Sequence, residues 1–348
     1  MQPVIVTRSK FGSVVAELLK NGRLVAPVKQ GETKGLAEIS AENIQDVDLS
    51  GIRTVESFKS WVFKIIETVS TYFNQDIQPV AEKYIFLGVR ACDLSALKVL
   101  DRVFLEGECV DPVYAASRTN IILITADCND CGKTCFCNLV KDKPYAEQGF
   151  DLNISLLADN YLISAGSEIG EELLKRISNI TATASDNDLQ IQKQQRETVV
   201  NKLNEQNAVF NIKYELSGIH KINLENPAWR ALTKDCVECS ACNFICPSCS
   251  CFLLLENKDN SNFQRDKVWD ACLKTGYARV AGGSNSRPKL YERLQNRYHC
   301  KFDYSYDRLG RYTCVGCGRC IDACAGNIDM RKIFAALSYL APLTAKLD

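Results

Sequence analysis

The chain has 348 residues, 46% of them hydrophobic, which is room for roughly two or three ordinary domains and excludes a disordered chain. Lys plus Arg equals Asp plus Glu at 42 each, so a net charge of zero gives no reason to expect nucleic acid or an anionic membrane as partner. Eighteen cysteines stand against two histidines, in a chain too long for a secreted disulfide scaffold.

The N-terminal stretch MQPVIVTRSKFGSVVAELLKNGRL has no basic segment leading into a long apolar run with a small-residue cleavage site. No stretch approaches 18 uninterrupted apolar residues, so the expectation is a cytoplasmic protein without membrane insertion. SVVAELLKN places its apolar residues at helical spacing, and RLVAPV and YIFLGV are β-rich. TVESFKSWVFKIIETVSTYF returns to the helical period, LSALKVLDRVFL reads as a helix, and NIILITAD is a short apolar run of the kind buried in a sheet. Residues 1–225 are therefore expected to form a mixed α/β domain. The polar segment TATASDNDLQIQKQQRETVVNKLNEQN begins as a loop and ends as a solvated helix approaching a boundary near Asn226.

Twelve of the eighteen cysteines lie between Cys236 and Cys324, with few β-rich runs among them. Short helices alternating with ligand loops are expected, so residues 226–348 read as a mainly helical domain and the whole chain as α+β. Cys236, Cys239, Cys242 and Cys246 follow C-x2-C-x2-C-x3-C, and Cys314, Cys317, Cys320 and Cys324 repeat it. That is the ligand run of a two-cluster bacterial-type ferredoxin, in which the fourth cysteine serves the other cluster. One 4Fe-4S cluster is thus assigned to Cys236, Cys239, Cys242 and Cys324, and the other to Cys314, Cys317, Cys320 and Cys246. Zinc usually takes two separated ligand pairs and often recruits His, whereas His220 and His299 stand away from these groups. Pro247 follows Cys246 as the pattern expects, but Ala325 replaces the second proline.

Residues 247–313 replace the short spacer of a small ferredoxin, and a docking surface is one use for them. They contain Cys249, Cys251, Cys272 and Cys300, which spacing alone reads as packing around the clusters. Upstream, Cys92 follows one expected strand and Cys128, Cys131, Cys135 and Cys137 follow another. The carboxyl ends of neighbouring parallel strands lie together, so these five thiols could house a third cluster, a reactive thiol pair or scattered buried cysteines.

In this order, GVRACDLSALKVLDRVF, CNDCGKTCFC, CVECSACNFICPSCSCF, WDAC, AGG and CVGCGRC resemble one iron–sulfur protein family. It comprises the beta subunits of cytoplasmic NiFe hydrogenases (sulfhydrogenases) and the corresponding iron–sulfur subunits of anaerobic sulfite reductases. The resemblance spans about Arg23 to Ile333. It implies that Cys92, Cys128, Cys135 and Cys137 bind a third 4Fe-4S cluster, with Cys131 outside the pattern and Arg90 orienting the cluster or forming a structural ion pair. It also places Cys249, Cys251 and Cys272 in the family pattern without a role. Such a protein carries electrons to or from a flavin-containing, NAD(P)- or ferredoxin-linked subunit, with a catalytic oxidoreductase subunit at the other end. The hydrogenase type is favoured over sulfite reductase.

No G-x-G-x-x-G fingerprint, P-loop or nucleophile motif is present, so neither flavin nor nicotinamide is expected on this chain. GETKG and AGGSNSRP read as turns. The competing readings are a thiol or disulfide reductase using Cys249, Cys251 or Cys131, and a binding module stapled by its clusters. Arg319, Lys274 and Arg279 are expected on a solvated face.

Overall fold

The computed structural model describes residues 1–72, 82–212, 216, 226–259 and 262–344; His220 lies outside them. In chain order the first part contains β1 (Val4–Thr7), α1 (Phe11–Leu19), β2 (Arg23–Gln30), β3 (Thr33–Ile39), α2 (Lys59–Val62), β4 (Ile66–Tyr72), β5 (Tyr84–Val89), α3 (Ala91–Phe104), α4 (Pro112–Thr119) and β6 (Ile121–Ala126). It continues through β7 (Leu152–Leu156), β8 (Asn160–Ala165), α5 (Glu168–Arg176), β9 (Ala182–Thr183) and α6 (Asp186–Ala208). An eight-stranded sheet runs in the order β3-β2-β5-β6-β7-β8-β1-β9. Its centre, β2-β5-β6-β7, is parallel, which explains why YIFLGV and IILITA read as unbroken apolar runs: both faces of a central parallel strand are covered. One face packs Val14, Val15, Ile85, Ile124 and Ile163, and the other packs Phe86, Leu97, Leu100 and Leu123.

The second part comprises α7 (Pro227–Thr233), α8 (Ala241–Phe244), β10 (Phe252–Asp259), β11 (Asn262–Trp269), α9 (Leu290–His299), α10 (Ser305–Leu309), α11 (Arg319–Asp322) and α12 (Met330–Thr344). A single π-helical turn, Cys300–Tyr304, continues α9. The second part also contains strands that the sequence reading did not expect. The eight-residue strands β10 and β11 pair antiparallel, and β11 pairs antiparallel with β4 to complete a three-stranded sheet.

The helix expected over TVESFKSWVFKIIETVSTYF is corrected at the same place. Among its described residues only Lys59–Val62 is helical, while Phe58, Val62 and Phe63 are buried in the core. The following β-branched run from Ile66 pairs as a strand, because branched side chains suit a pleated surface and a partner strand is available. The polar segment does become a helix, α6, with a Ser185/Asp188 capping box. It also buries Val199 and Leu203 against the thiols of Cys131 and Cys137, so one of its faces is not solvated. GETKG supplies the tight β2–β3 connection at Gly31, whose φ is +61°.

Candidate metal centres

Parallel pairing of β5 with β6 puts the start of α3 beside the loop that leaves β6. Cys92 stands in the first turn of α3, with Cys128, Cys131, Cys135 and Cys137 on that loop. Cys92 has Cys128 and Cys317 among its neighbours, and Cys128 and Cys137 adjoin Cys135. The four cysteines expected to act together are therefore in one place. Cys131 is turned toward α6, where its thiol meets Gln206 Oε1 at 3.7 Å.

The loop is held through its carbonyls. Gln206 Nε2 donates to Gly132 O and Cys135 O, each at 3.0 Å, and Asn207 Nδ2 donates to Cys135 O at 3.0 Å. Arg331 Nη1, from α12, donates to Lys133 O at 2.8 Å. Arg90 forms no ion pair among the described residues. Its guanidinium donates to Ala126 O at 3.2 Å, Leu49 O at 2.7 Å and Ser50 O at 3.0 Å, and also to Asp127 O. These bonds fix the mouth of the strands, and they leave the buried Nε of Arg90 without a partner close to Cys128. An orphaned buried donor beside thiols fits an anionic acceptor. Burial pushes the Cys128 thiol up to about 11 and raises Cys92, Cys135 and Cys137, so thiolate ligation here needs a metal's positive charge.

Cys236, Cys239, Cys242, Cys320 and Cys324 line a single cavity of about 40 Å³ under Leu294, Tyr298, Ile328 and Met330. Both ferredoxin-type runs therefore meet at this cavity, which takes in Cys236, Cys239, Cys242 and Cys324 and also Cys320, expected in the other set. The Ile328 N–H donates to Cys324 Sγ at 3.3 Å. The turn is tight: a Cβ on Gly326 would lie 2.0 Å from Asp235 O, so the two runs meet backbone to backbone. Cys246, buried, neighbours Cys314 and Cys320, and Cys317 adjoins both of these. Among the described residues no three Cys, His, Asp or Glu side chains converge on a single ion, whereas a cubane spreads four thiolates over four irons.

Three buried cations surround these thiols, and among the described residues none meets a carboxylate. Arg297 Nη2 donates to Cys242 O at 2.9 Å and Nη1 to Cys249 Sγ at 3.6 Å. Lys301 Nζ donates to Ser248 Oγ at 3.2 Å. Lys59 Nζ donates to Phe244 O at 3.2 Å and Cys249 O at 3.3 Å, over the Trp269 ring. Burial lowers the Lys301 ammonium, but Cys246 and Cys249 outweigh it and hold it well above its ordinary value. Buried positive charge without an ion partner is costly, and the deficit fits a bound anion. Sequence reasoning missed these cations, whose only sequence signal is a basic residue inside a cysteine-rich segment.

The two cysteine fields also touch. The Phe136 N–H donates to Gly316 O at 2.8 Å, and a Cβ on Gly316 or Gly318 would come within 2.4 Å of Cys137 Cα or 2.3 Å of Thr134 O. Arg319, expected on a solvated face, is fully buried and donates to both Asp93 carboxylate oxygens at 2.6 and 2.9 Å. It needs that partner because its place between α11 and α3 excludes water. Lys274 and Arg279 are exposed as expected. His299 pairs with Asp303 at 3.0 Å and takes no part in the thiol groups.

A family profile described as a 4Fe-4S dicluster domain matches residues 235–328. The chain is also 26% identical over 330 residues, 93% of its own length and 94% of the relative's, to sulfhydrogenase 2 subunit beta of Pyrococcus furiosus. No described helix is long and apolar enough to cross a membrane. With its paired ligand runs, this dicluster match and a likeness along nearly its whole length, the chain is an iron–sulfur protein similar to a hydrogenase beta subunit.

Proposed function

We propose that the chain is the electron-transfer component of a multi-subunit oxidoreductase, relaying single electrons between two other subunits. One of these contains flavin and is linked to NAD(P) or ferredoxin, and the other is a catalytic subunit of the hydrogenase type. The observation that carries this reading is the set of buried cations Lys59, Arg297 and Lys301 among the thiols, none of which meets a carboxylate among the described residues. Cys236, Cys239, Cys242 and Cys324 would hold one 4Fe-4S cluster, Cys314, Cys317, Cys320 and Cys246 a second, and Cys92, Cys128, Cys135 and Cys137 a third. Each cluster supplies reversible one-electron transfer, at a potential tuned by charge, hydrogen bonds to sulfur and burial.

The chain's own residues perform that tuning. The Ile328 N–H bonds the Cys324 sulfur, Arg297 spans the space between Cys242 and Cys249, and Leu294, Tyr298 and Met330 shield the first site from water. Arg90 fixes the two strand ends that carry the third set and leaves one N–H for its sulfurs. Exposed Phe252, Leu253, Leu254 and Leu255 on the edge strand β10 offer an apolar surface to a partner subunit. The proposed location is the cytoplasm, and the proposed organisation is two parts meeting near Asn226.

The test is quantification of iron and labile sulfide in protein purified without oxygen together with whatever co-elutes. The expected result is about twelve irons per chain, four for each of three cubanes, with a co-purifying flavoprotein. About eight irons would remove the third site, and zinc without labile sulfide would sink the reading.

A further inference from the structure

Of the six cysteines that the proposed ligand sets leave, Cys249, Cys251, Cys272 and Cys300 line one cavity of about 520 Å³. Cys251 and Cys272 bring their thiols into hydrogen-bond contact. Cys272 is buried and accepts from Asn243 Nδ2 at 3.1 Å. Cys251 is half-buried, and the Tyr277 hydroxyl donates to its sulfur at 3.4 Å. Among the described residues the two do not join a third ligand around one ion. A held pair with one sulfur buried and one reachable is instead the arrangement of a dithiol that closes to a disulfide.

The cavity has a sign. Arg102, Arg297, Lys301 and Arg308 line it, and no Asp or Glu among the described residues does. Glu106, the partner of Arg102, lies outside the wall. A low-molecular-weight ligand entering here meets positive charge beside the reachable sulfur of Cys251.

We propose that Cys251 and Cys272 are a redox-active dithiol that reduces an anionic low-molecular-weight disulfide bound in this cavity. Cys251 Sγ attacks one sulfur of the disulfide RSSR, the substrate's S–S bond breaks, and the first RSH leaves with the Cys251 proton. Cys272 Sγ then attacks Cys251 Sγ, and the second RSH leaves with the Cys272 proton. Two electrons and two protons pass to the substrate, and the chain is left with a Cys251–Cys272 disulfide. The proposal deepens the electron-transfer reading and rests on it only for the way the pair is reduced again.

The test uses the intact iron-loaded protein, reduced, freed of reductant, exposed to glutathione disulfide without oxygen, then alkylated and mapped by mass spectrometry. Expected are a Cys251–Cys272 disulfide and release of about two thiols per chain, loss of both in Cys251→Ser, and in Cys272→Ser release of about one thiol with a mixed disulfide left on Cys251, with iron content and cluster EPR as in the parent. The cationic disulfide cystamine should react at least about tenfold more slowly. Thiol release that survives in Cys251→Ser, or release of two thiols per chain in Cys272→Ser, overturns the dithiol. Loss of about four irons per chain in either variant overturns it too, by making that residue a cluster ligand. Equal rates for the two disulfides overturn the assignment of an anionic substrate. A low iron count in the parent protein would instead count against the electron-transfer reading, so the two failures are distinguishable.

Discussion

Arg319 and Asp93 meet where neither can reach water, and the rest of the guanidinium is spent on carbonyls: Nε on Thr54 O and Val55 O at 3.1 and 3.0 Å, Nη2 on Glu56 O at 3.0 Å. One residue of the second ferredoxin-type run thereby locks the first turn of α3, next to Cys92. Removing one partner of a buried pair strands the other charge, so Asp93→Asn should cost about 3–5 kcal/mol. The measurement is the urea midpoint of the anaerobic protein. Replacing both partners with apolar residues, Asp93→Leu with Arg319→Met, should recover most of that loss, because the stranded charge goes with its partner. A loss below about 1 kcal/mol for Asp93→Asn would mean that the pair behaves as a solvated one.

At the scale of elements, the loop bearing Cys314, Cys317 and Cys320 lies against the loop bearing Cys135 and Cys137. The glycines between its ligands allow that approach. Gly316 has φ +61°, and its missing Cβ would lie 2.4 Å from Cys137 Cα, an atom that cannot rotate away. Gly310 has nearly the same φ, +65°, with nothing within 4 Å. Gly310→Ala should therefore cost about 1–2 kcal/mol of left-handed backbone strain alone. Gly316→Ala should cost more, and should also release iron faster to a chelator. Equal losses in the two variants would show that the loops are not pressed together.

The sequence made the ligand spacing, β5, β6 and α3 legible, because each is local: a fixed cysteine interval, a run covered on both faces, an apolar stripe at helical period. It did not make β4 legible, since Ile66–Tyr72 is a strand by virtue of β11, almost 200 residues further on. The burial of Arg319, Arg297 and Lys301 was hidden for the same reason. A basic residue announces charge, and only the packed chain says whether that charge faces water or sulfur.

For the whole molecule, the insertion 247–313 ties the second part to the first and presents a surface outward. Lys267 of β11 is buried between Glu67 of β4, at 2.6 Å, and Asp111, which also caps α4 through the N–H groups of Val113 and Tyr114. That anchorage holds the strand pair rigidly on one side. On the other side β10 is the sheet edge, with Leu253 and Leu255 alternating onto one face and about half exposed. An apolar edge strand left open invites pairing or docking, and isolated chains usually blunt such edges with charge. The double substitution Leu253→Lys with Leu255→Lys adds charge without touching a proposed ligand or the Lys267 anchor. Partner subunits that co-elute with the parent protein should then be lost or recovered at least about tenfold less, a change of about 1.4 kcal/mol or more. Iron per chain should stay at the parent value. Unchanged co-elution would place the docking surface away from the strand pair, whereas lost iron would show that the strand pair supports the metal sites themselves.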